Sequence, residues 1–309
     1  MSRGNILAGL LTVVALGACV AVYLHGANIP VLQPHGPVAR GELWVMTVTL
    51  LLCAVVVIPV FVMLFSFAWM FRADRPRSRR WHMPDWDHYS VEMELIWWIV
   101  PSIIIAILSV IAWRSSHQYD PYRALGRGAP LEIQVVALDW KWLFIYPQQG
   151  IASVNMVEFP ENVPVRFVLT ADAPMNSFWI PSLGGQIMVM PGMTTQLNLL
   201  ANDRGTYTGL SGNLSGRGFA GMTFAAQSVT QAEFDQWVAS IHDTSLPLDS
   251  TSYKLLAKPS ENDPVAFYAP VDSALYGQIV MKSMMPEHEM MQGMMQMPNG
   301  MMMNESSMP

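Results

Sequence analysis

The chain has 309 residues, of which 52% are apolar and only 13% charged, with a mean hydropathy of +0.29 and a formal net charge of -6. That composition excludes an ordinary soluble protein, and the acidic balance offers nucleic acid no electrostatic footing. Cysteine stands only at Cys19 and Cys53, so the long stretch beyond residue 53 can form neither a disulfide nor a thiolate metal site.

In chain order, residues 1–18 read as a secretory signal: Arg3 is the positive start, Ile6 to Leu16 the apolar core. Leu16-Gly17-Ala18-Cys19 then resembles a bacterial lipobox, with cleavage before Cys19 and a lipid on its thiol. The other reading is an uncleaved signal anchor running to Leu24. Residues 19–42 follow as a polar periplasmic segment. Leu43 to Phe71 carries no charged residue, which predicts a first transmembrane helix of roughly 43 Å against a hydrocarbon core of ~30 Å. Pro59 lies inside it and predicts a kink. Trp44 and Trp69 stand near its ends, where interfacial aromatics belong. The loop 72–94 opens with Arg72, Arg75, Arg77, Arg79 and Arg80, which assigns it to the cytoplasm. Leu95 to Trp113 is a second uncharged span, closed by Arg114. The resulting out-in-out hairpin puts Cys19 and everything beyond residue 114 on the same, outer side.

From Leu131 short apolar runs alternate with Pro, Gly and Asn turns: Leu131–Ala137, Trp142–Tyr146, Val165–Leu169, Thr195–Leu200 and Met222–Ala226. Strands at this density predict a β-sandwich over 125–229. Gln231 to His242 has helical periodicity through Phe234, Trp237, Val238 and Ile241, with Thr230 and Glu233 spaced as a capping box. Residues 281–309 hold half of the chain's 24 methionines without any sustained apolar period, which predicts a disordered tail. Its thioethers and His288 are suited to Cu(I), and simple low complexity is the competing reading.

Two pieces of the β region carry a family resemblance: Met175-Asn176-Ser177-Phe178-Trp179-Ile180-Pro181, and the loop from Gly209 to Met222. They resemble the copper loops of subunit II of the haem–copper oxygen reductases. The cytochrome c oxidase members carry a His before Ser-Phe-Trp, then Cys-x-Glu-x-Cys-x-x-x-His-x-x-Met. Here the His positions are Asn176 and Phe219, the Cys positions Ser211 and Ser215, and the Glu position Asn213; only Met222 is retained. A copper pair needs bridging thiolates and imidazoles, and serine hydroxyls are hard and protonated at neutral pH. The loss of the ligands resembles the quinol oxidase members of the family.

That resemblance implies a membrane-anchored mixed α and β fold: a two-helix transmembrane hairpin, a Greek-key cupredoxin-like β-sandwich without its binuclear copper, and an aromatic-rich helical extension over 230–280. It implies a non-catalytic subunit of a proton-pumping quinol oxidase of the cytochrome bo type, in the bacterial inner membrane, with ubiquinol the favoured reductant. Haem and copper are expected in subunit I and no cofactor in this chain. Partners are subunit I, subunits III and IV, membrane lipid, and quinol through the complex; cytochrome c and nucleic acid are not expected. Glu94-Leu95-Ile96-Trp97-Trp98-Ile99-Val100-Pro101 is similar to the family segment whose Glu lies at a proton channel, which implies a proton entrance at Glu94. The competing reading is a plain interfacial charge, and Glu92 is close by. Trp140 and Trp142 match the stretch that passes electrons in copper-bearing members; without copper they are expected to pack or to contact another subunit. No catalytic residue is expected. The alternative from another class is a copper-handling membrane lipoprotein acting through its Met-rich tail.

Overall fold

The computed structural model describes Gly17 and residues 29–70, 91–126 and 128–284. The expected lipid site at Cys19, the arginine cluster Arg72 to Arg80 and the tail beyond Met284 lie outside these residues. The chain divides into two compact units, Arg40–Asp120 and a second unit that holds Pro121 onward together with the segment before Arg40.

The first unit is built from helix α1 (Pro37–Met70) and helix α2 (Val91–Gln118). Both are long and apolar enough to cross a membrane. Most of their apolar side chains are exposed, from Val55 through Phe67 and from Leu95 through Val110, as expected of helices whose solvent is lipid. Helix α1 begins six residues before the uncharged run. Pro37 presets the first turn, and Ala39, Arg40 and Glu42 are good helix formers, so the polar stretch before Leu43 is helical and not loop. Pro59 and Pro101 both sit within continuous helix. Beside Pro101, which has no N–H to give, Ser102 donates its hydroxyl to the Trp98 carbonyl at 2.6 Å.

The second unit is a two-sheet sandwich of the cupredoxin-like kind. Its strands are β1 (Leu131–Leu138), β2 (Lys141–Tyr146), β3 (Ile151–Val154), β4 (Met156–Pro160), β5 (Val165–Ala171), β6 (Asn176–Trp179), β7 (Ile187–Val189), β8 (Thr195–Leu199), β9 (Gly205–Ser211), β10 (Thr223–Val229), β11 (Leu246–Leu248) and β12 (Ala266–Val271). One sheet runs β11-β12-β3-β2-β1-β5-β8, the other β4-β10-β9-β6-β7. The core between them is aromatic: Trp142 meets Phe178 and Phe224 edge-on at 5.3 and 5.8 Å, and Phe178 stacks on Phe224 at 5.1 Å. Such pairs add ~1 kcal/mol each beyond their buried area.

Three helices follow the sandwich strands: α3 (Gln231–Thr244), α4 (Ser250–Leu256) and α5 (Leu275–Met284). The capping box forms: Thr230 accepts from the Glu233 N–H, and the Glu233 carboxylate accepts from the Thr230 N–H at 2.8 Å. Phe234 and Ile241 of α3 join the sandwich core. A second core lies on the other face of the larger sheet. There Val136, Leu138, Leu143 and Ile145 pack against Leu248, Tyr253, Leu275 and Ile279 of the extension. The extension is therefore not wholly helical: β11 and β12 lengthen the sheet while α4 and α5 cover it. This double covering explains why every residue of β2 is buried, where a half-buried strand would alternate.

Candidate functional site

Strand β6 starts where β9 ends, and their antiparallel pairing sets Phe178 opposite Ser211. Asn176 and Ser211 thus come from residues far apart in sequence to one end of the sandwich, and both are buried. The Ser211 hydroxyl donates to Asn176 Oδ1 at 3.0 Å, with the Asn213 carbonyl 3.3 Å away. Asn176 Nδ2 donates to the Pro174 carbonyl at 2.8 Å, and Asn213 Nδ2 to the Met175 carbonyl at 2.9 Å. The Gly212 N–H reaches the Ser177 carbonyl at 2.9 Å. The two loops are joined by amide and hydroxyl hydrogen bonds.

Beyond Ser211 the loop doubles back. The Ser211 N–H donates to the Met222 carbonyl at 3.2 Å, and a short 3-10 turn, Phe219–Gly221, brings Met222 in. Met222 is 1% exposed and its side chain belongs to the aromatic core. Phe219 and Ser215 lie on the outer limb, half-buried. The Ser215 hydroxyl is buried without a hydrogen-bond partner among the described residues. The structure so brings Asn176, Ser211 and Asn213 into direct side-chain contact with this loop junction, reaches Met222 through backbone, and leaves the side chains of Ser215 and Phe219 outside the network.

Trp140 roofs that limb. It sits in the two-residue turn between β1 and β2 with a left-handed φ of 62°, an unusual conformation for a bulky residue. Its indole N–H donates to the Ser215 carbonyl at 3.1 Å. A Cβ at Gly216 (φ 111°) would stand 3.3 Å from the indole, and one at Gly218 only 2.5 Å, so the loop is glycine-rich where the ring must lie flat on it. The extension buttresses the same loop. Arg217 pairs with Glu261 at 2.8 Å, and the 258–263 segment is held by Lys141. Lys141 is 2% exposed; its ammonium meets the Lys258 carbonyl at 3.0 Å, Asp263 at 3.1 Å, and the Ser260 hydroxyl. Sequence reasoning passed over Lys141; the visible signal was a lysine between two tryptophans in an otherwise apolar strand.

The donor set does not fit a copper pair. It offers an amide, two alcohols and a phenyl ring where thiolates and imidazoles would be needed, and its one soft donor, Met222, is packed in the core. Among the described residues no three His, Cys, Asp or Glu side chains gather as a metal site.

The family described as cytochrome C oxidase subunit II, periplasmic domain, matches residues 113–229, and the COX Aromatic Rich Motif matches 243–287. A protein of Pseudomonas putida named cytochrome bo(3) ubiquinol oxidase subunit 2 is 47% identical over 260 residues, which cover 84% of this chain and 82% of that one. Its namesake in Pseudomonas aeruginosa is 45% identical, covering 86% and 80%. Ubiquinol oxidase subunit 2 of Acetobacter aceti is 44% identical, covering 86% of each. The chain belongs to the quinol oxidase subunit II family. In this quinol oxidase subunit II the sandwich is kept, and Asn176 and Ser211 stitch its loop junction. Glu94 of this subunit II lies in the first turn of α2, exposed, just ahead of the uncharged run that begins at Leu95.

Proposed function

We propose that this subunit serves a proton-pumping ubiquinol oxidase of the inner membrane, which passes electrons from ubiquinol to oxygen and releases water. The observation that carries the reading is the hydrogen bond from Ser211 to Asn176. It occupies the place of a copper bridge with groups that cannot carry electrons, so reductant must enter the complex elsewhere. Haem and copper belong to subunit I, and this chain docks on subunit I beside subunits III and IV. Two spans and a lipid on Cys19 anchor it, with the sandwich on the periplasmic side. Glu94 lines the cytoplasmic proton entrance of subunit I, because a carboxylate at the membrane boundary can collect protons and hand them on. The copper-handling lipoprotein is the weaker reading, since the relatives over most of the chain are named as oxidase subunits.

The test is made on the complex extracted in mild detergent through this chain. A reduced-minus-oxidised spectrum reports haem, and oxygen uptake is compared with ubiquinol and with reduced cytochrome c. Haem with uptake from ubiquinol alone is the expected result. Uptake driven by cytochrome c would overturn the reading of Ser211 and Ser215, and a haem-free preparation would overturn the oxidase assignment itself.

A further inference from the structure

A buried carboxyl group without a partner calls for an explanation, and Glu158 is one. It stands in β4 with 5% of its surface exposed. Its backbone is satisfied by Tyr146, whose hydroxyl donates to the Glu158 carbonyl and accepts from the Glu158 N–H, both at 2.9 Å. Its carboxyl oxygens have no hydrogen-bond partner among the described residues. Gln227 of β10 pairs in register with Glu158 on one side and with Thr206 of β9 on the other. The three side chains therefore form a row on the outer face of the smaller sheet, on strands ~4.8 Å apart. Gln227 and Thr206 line a notch of about 360 Å³, together with Arg204 and with Glu233 from the first turn of α3. Glu233 Oε2 accepts from the Thr230 N–H and hydroxyl at 2.8 and 2.7 Å, while its Oε1 has no hydrogen-bond partner among the described residues. Burial first, and then the charge of Glu233, hold the Glu158 carboxyl up at about 7.

The row presents oxygen acceptors and negative charge, so what completes it is a cation that donates hydrogen bonds. A hard divalent ion takes about six to eight oxygens. Here one of the two carboxylates is half engaged in a helix cap, and no three His, Cys, Asp or Glu side chains gather as a metal site among the described residues. An ammonium group brings three N–H donors and needs no closed cage. We propose that this notch binds a primary ammonium group, with the Glu158 carboxylate as its buried acceptor and Glu233, Gln227 and Thr206 as its rim. Arg204 lines the same notch, its Nε meeting Glu161 at 3.3 Å, so an anion attached to the amine finds a guanidinium beside it. A soluble amine and the ethanolamine head of a membrane lipid both present such a group. The notch adjoins the entry to α1: Asp203, next to Arg204, holds His35 at 3.2 Å, two residues before the helix starts at Pro37. The site lies wholly within this chain and does not rest on the oxidase reading.

The complex carrying the full chain is placed in bilayer discs of phosphatidylcholine, whose head has no N–H, and titrated calorimetrically with ethanolamine at pH 6 and pH 8. The haem spectrum is recorded on the same discs, so failure of the amine site and failure of the oxidase reading are seen separately. The expected result is saturable binding, about tenfold weaker at pH 6 than at pH 8, because Glu158 must first lose its proton. E158Q should weaken binding at least about tenfold at pH 8 and remove the pH difference. Should E158Q not assemble, T206V and Q227L, at the rim, should weaken binding in the same direction. Discs containing phosphatidylethanolamine assign the source: block of ethanolamine binding there makes the occupant a lipid head, and unchanged binding makes it a soluble amine. Absence of saturable binding would overturn the site. Equal binding by wild type and the variants would do so too, as would equal affinity for tetramethylammonium, a cation without N–H donors.

Discussion

At the scale of single residues, the Asn176–Ser211 contact is a structural joint. Removing the Ser211 hydroxyl leaves Asn176 Oδ1 buried without its donor, so S211A should lower the unfolding free energy by about 1–2 kcal/mol while ubiquinol-driven uptake stays unchanged. Thermal unfolding and oxygen uptake on one preparation check both halves. Glu158 offers a second test. Val157 and Phe159 point into the core, so Glu158 points out of the sandwich; burial first, then the negative charge of Glu233, push its carboxyl up to about 7 from an ordinary 4.5. A carboxyl with a raised folded pKa costs nothing while protonated in both states and destabilises as it ionises. Stability should therefore fall by roughly 1–2 kcal/mol as pH rises from about 4.5 through 7, a loss that E158Q should not show. Glu233 itself is shifted down by its bonds to Thr230 and acts in the opposite sense, losing stability on acidification. It is present in both proteins, so their difference isolates Glu158. The positions of Asn176, Ser211 and Met222 were legible from motif spacing. The bond between the first two was not, because it depends on the register of strands 35 residues apart.

At the scale of elements, legibility followed periodicity. Helix α3 announced itself through Phe234, Trp237 and Ile241 and through its capping pair, because the 3.6-residue repeat and the cap are local signals. Strands β11 and β12 did not, being short and interrupted by Pro247 and Pro270. What recruits them is the outer face of the larger sheet, an apolar surface that only the assembled sandwich presents. The tie between extension and sandwich is polar as well as apolar, and Lys141 is its centre. Replacing it by methionine keeps the stem volume but leaves the Lys258 carbonyl, Ser260 and Asp263 without their common donor. With Asp263 partly reached by solvent, K141M should cost about 3 kcal/mol and free the 258–263 segment. Limited proteolysis should then cut within 258–263 before the sandwich is touched; cleavage unchanged from wild type would show that the Arg217–Glu261 pair holds the segment without Lys141.

At the scale of the whole molecule, the two units were the most legible feature, because lipid and water demand opposite surfaces from the chain. Helices of 34 and 28 residues are roughly 51 and 42 Å long, well beyond a ~30 Å hydrocarbon core, so a membrane-spanning helix of either length would carry turns into the interface. Glu94 stands in the first turn of α2, and in a spanning helix a carboxylate there would stay hydrated and still abut the apolar run. If it feeds protons to the catalytic subunit, its charge and its reach should matter separately. E94Q removes the titrating group at constant shape and should slow ubiquinol-driven uptake roughly tenfold, equivalent to ~1.4 kcal/mol on the limiting barrier. E94D, which keeps the proton site on a shorter stem, should retain most of the rate. Haem content must be equal in all three proteins for the comparison to report proton supply and not assembly. A wild-type rate in E94Q with full haem content would reduce Glu94 to an interfacial charge, whereas equal losses in E94Q and E94D would point to a packing role at the helix start instead of proton transfer.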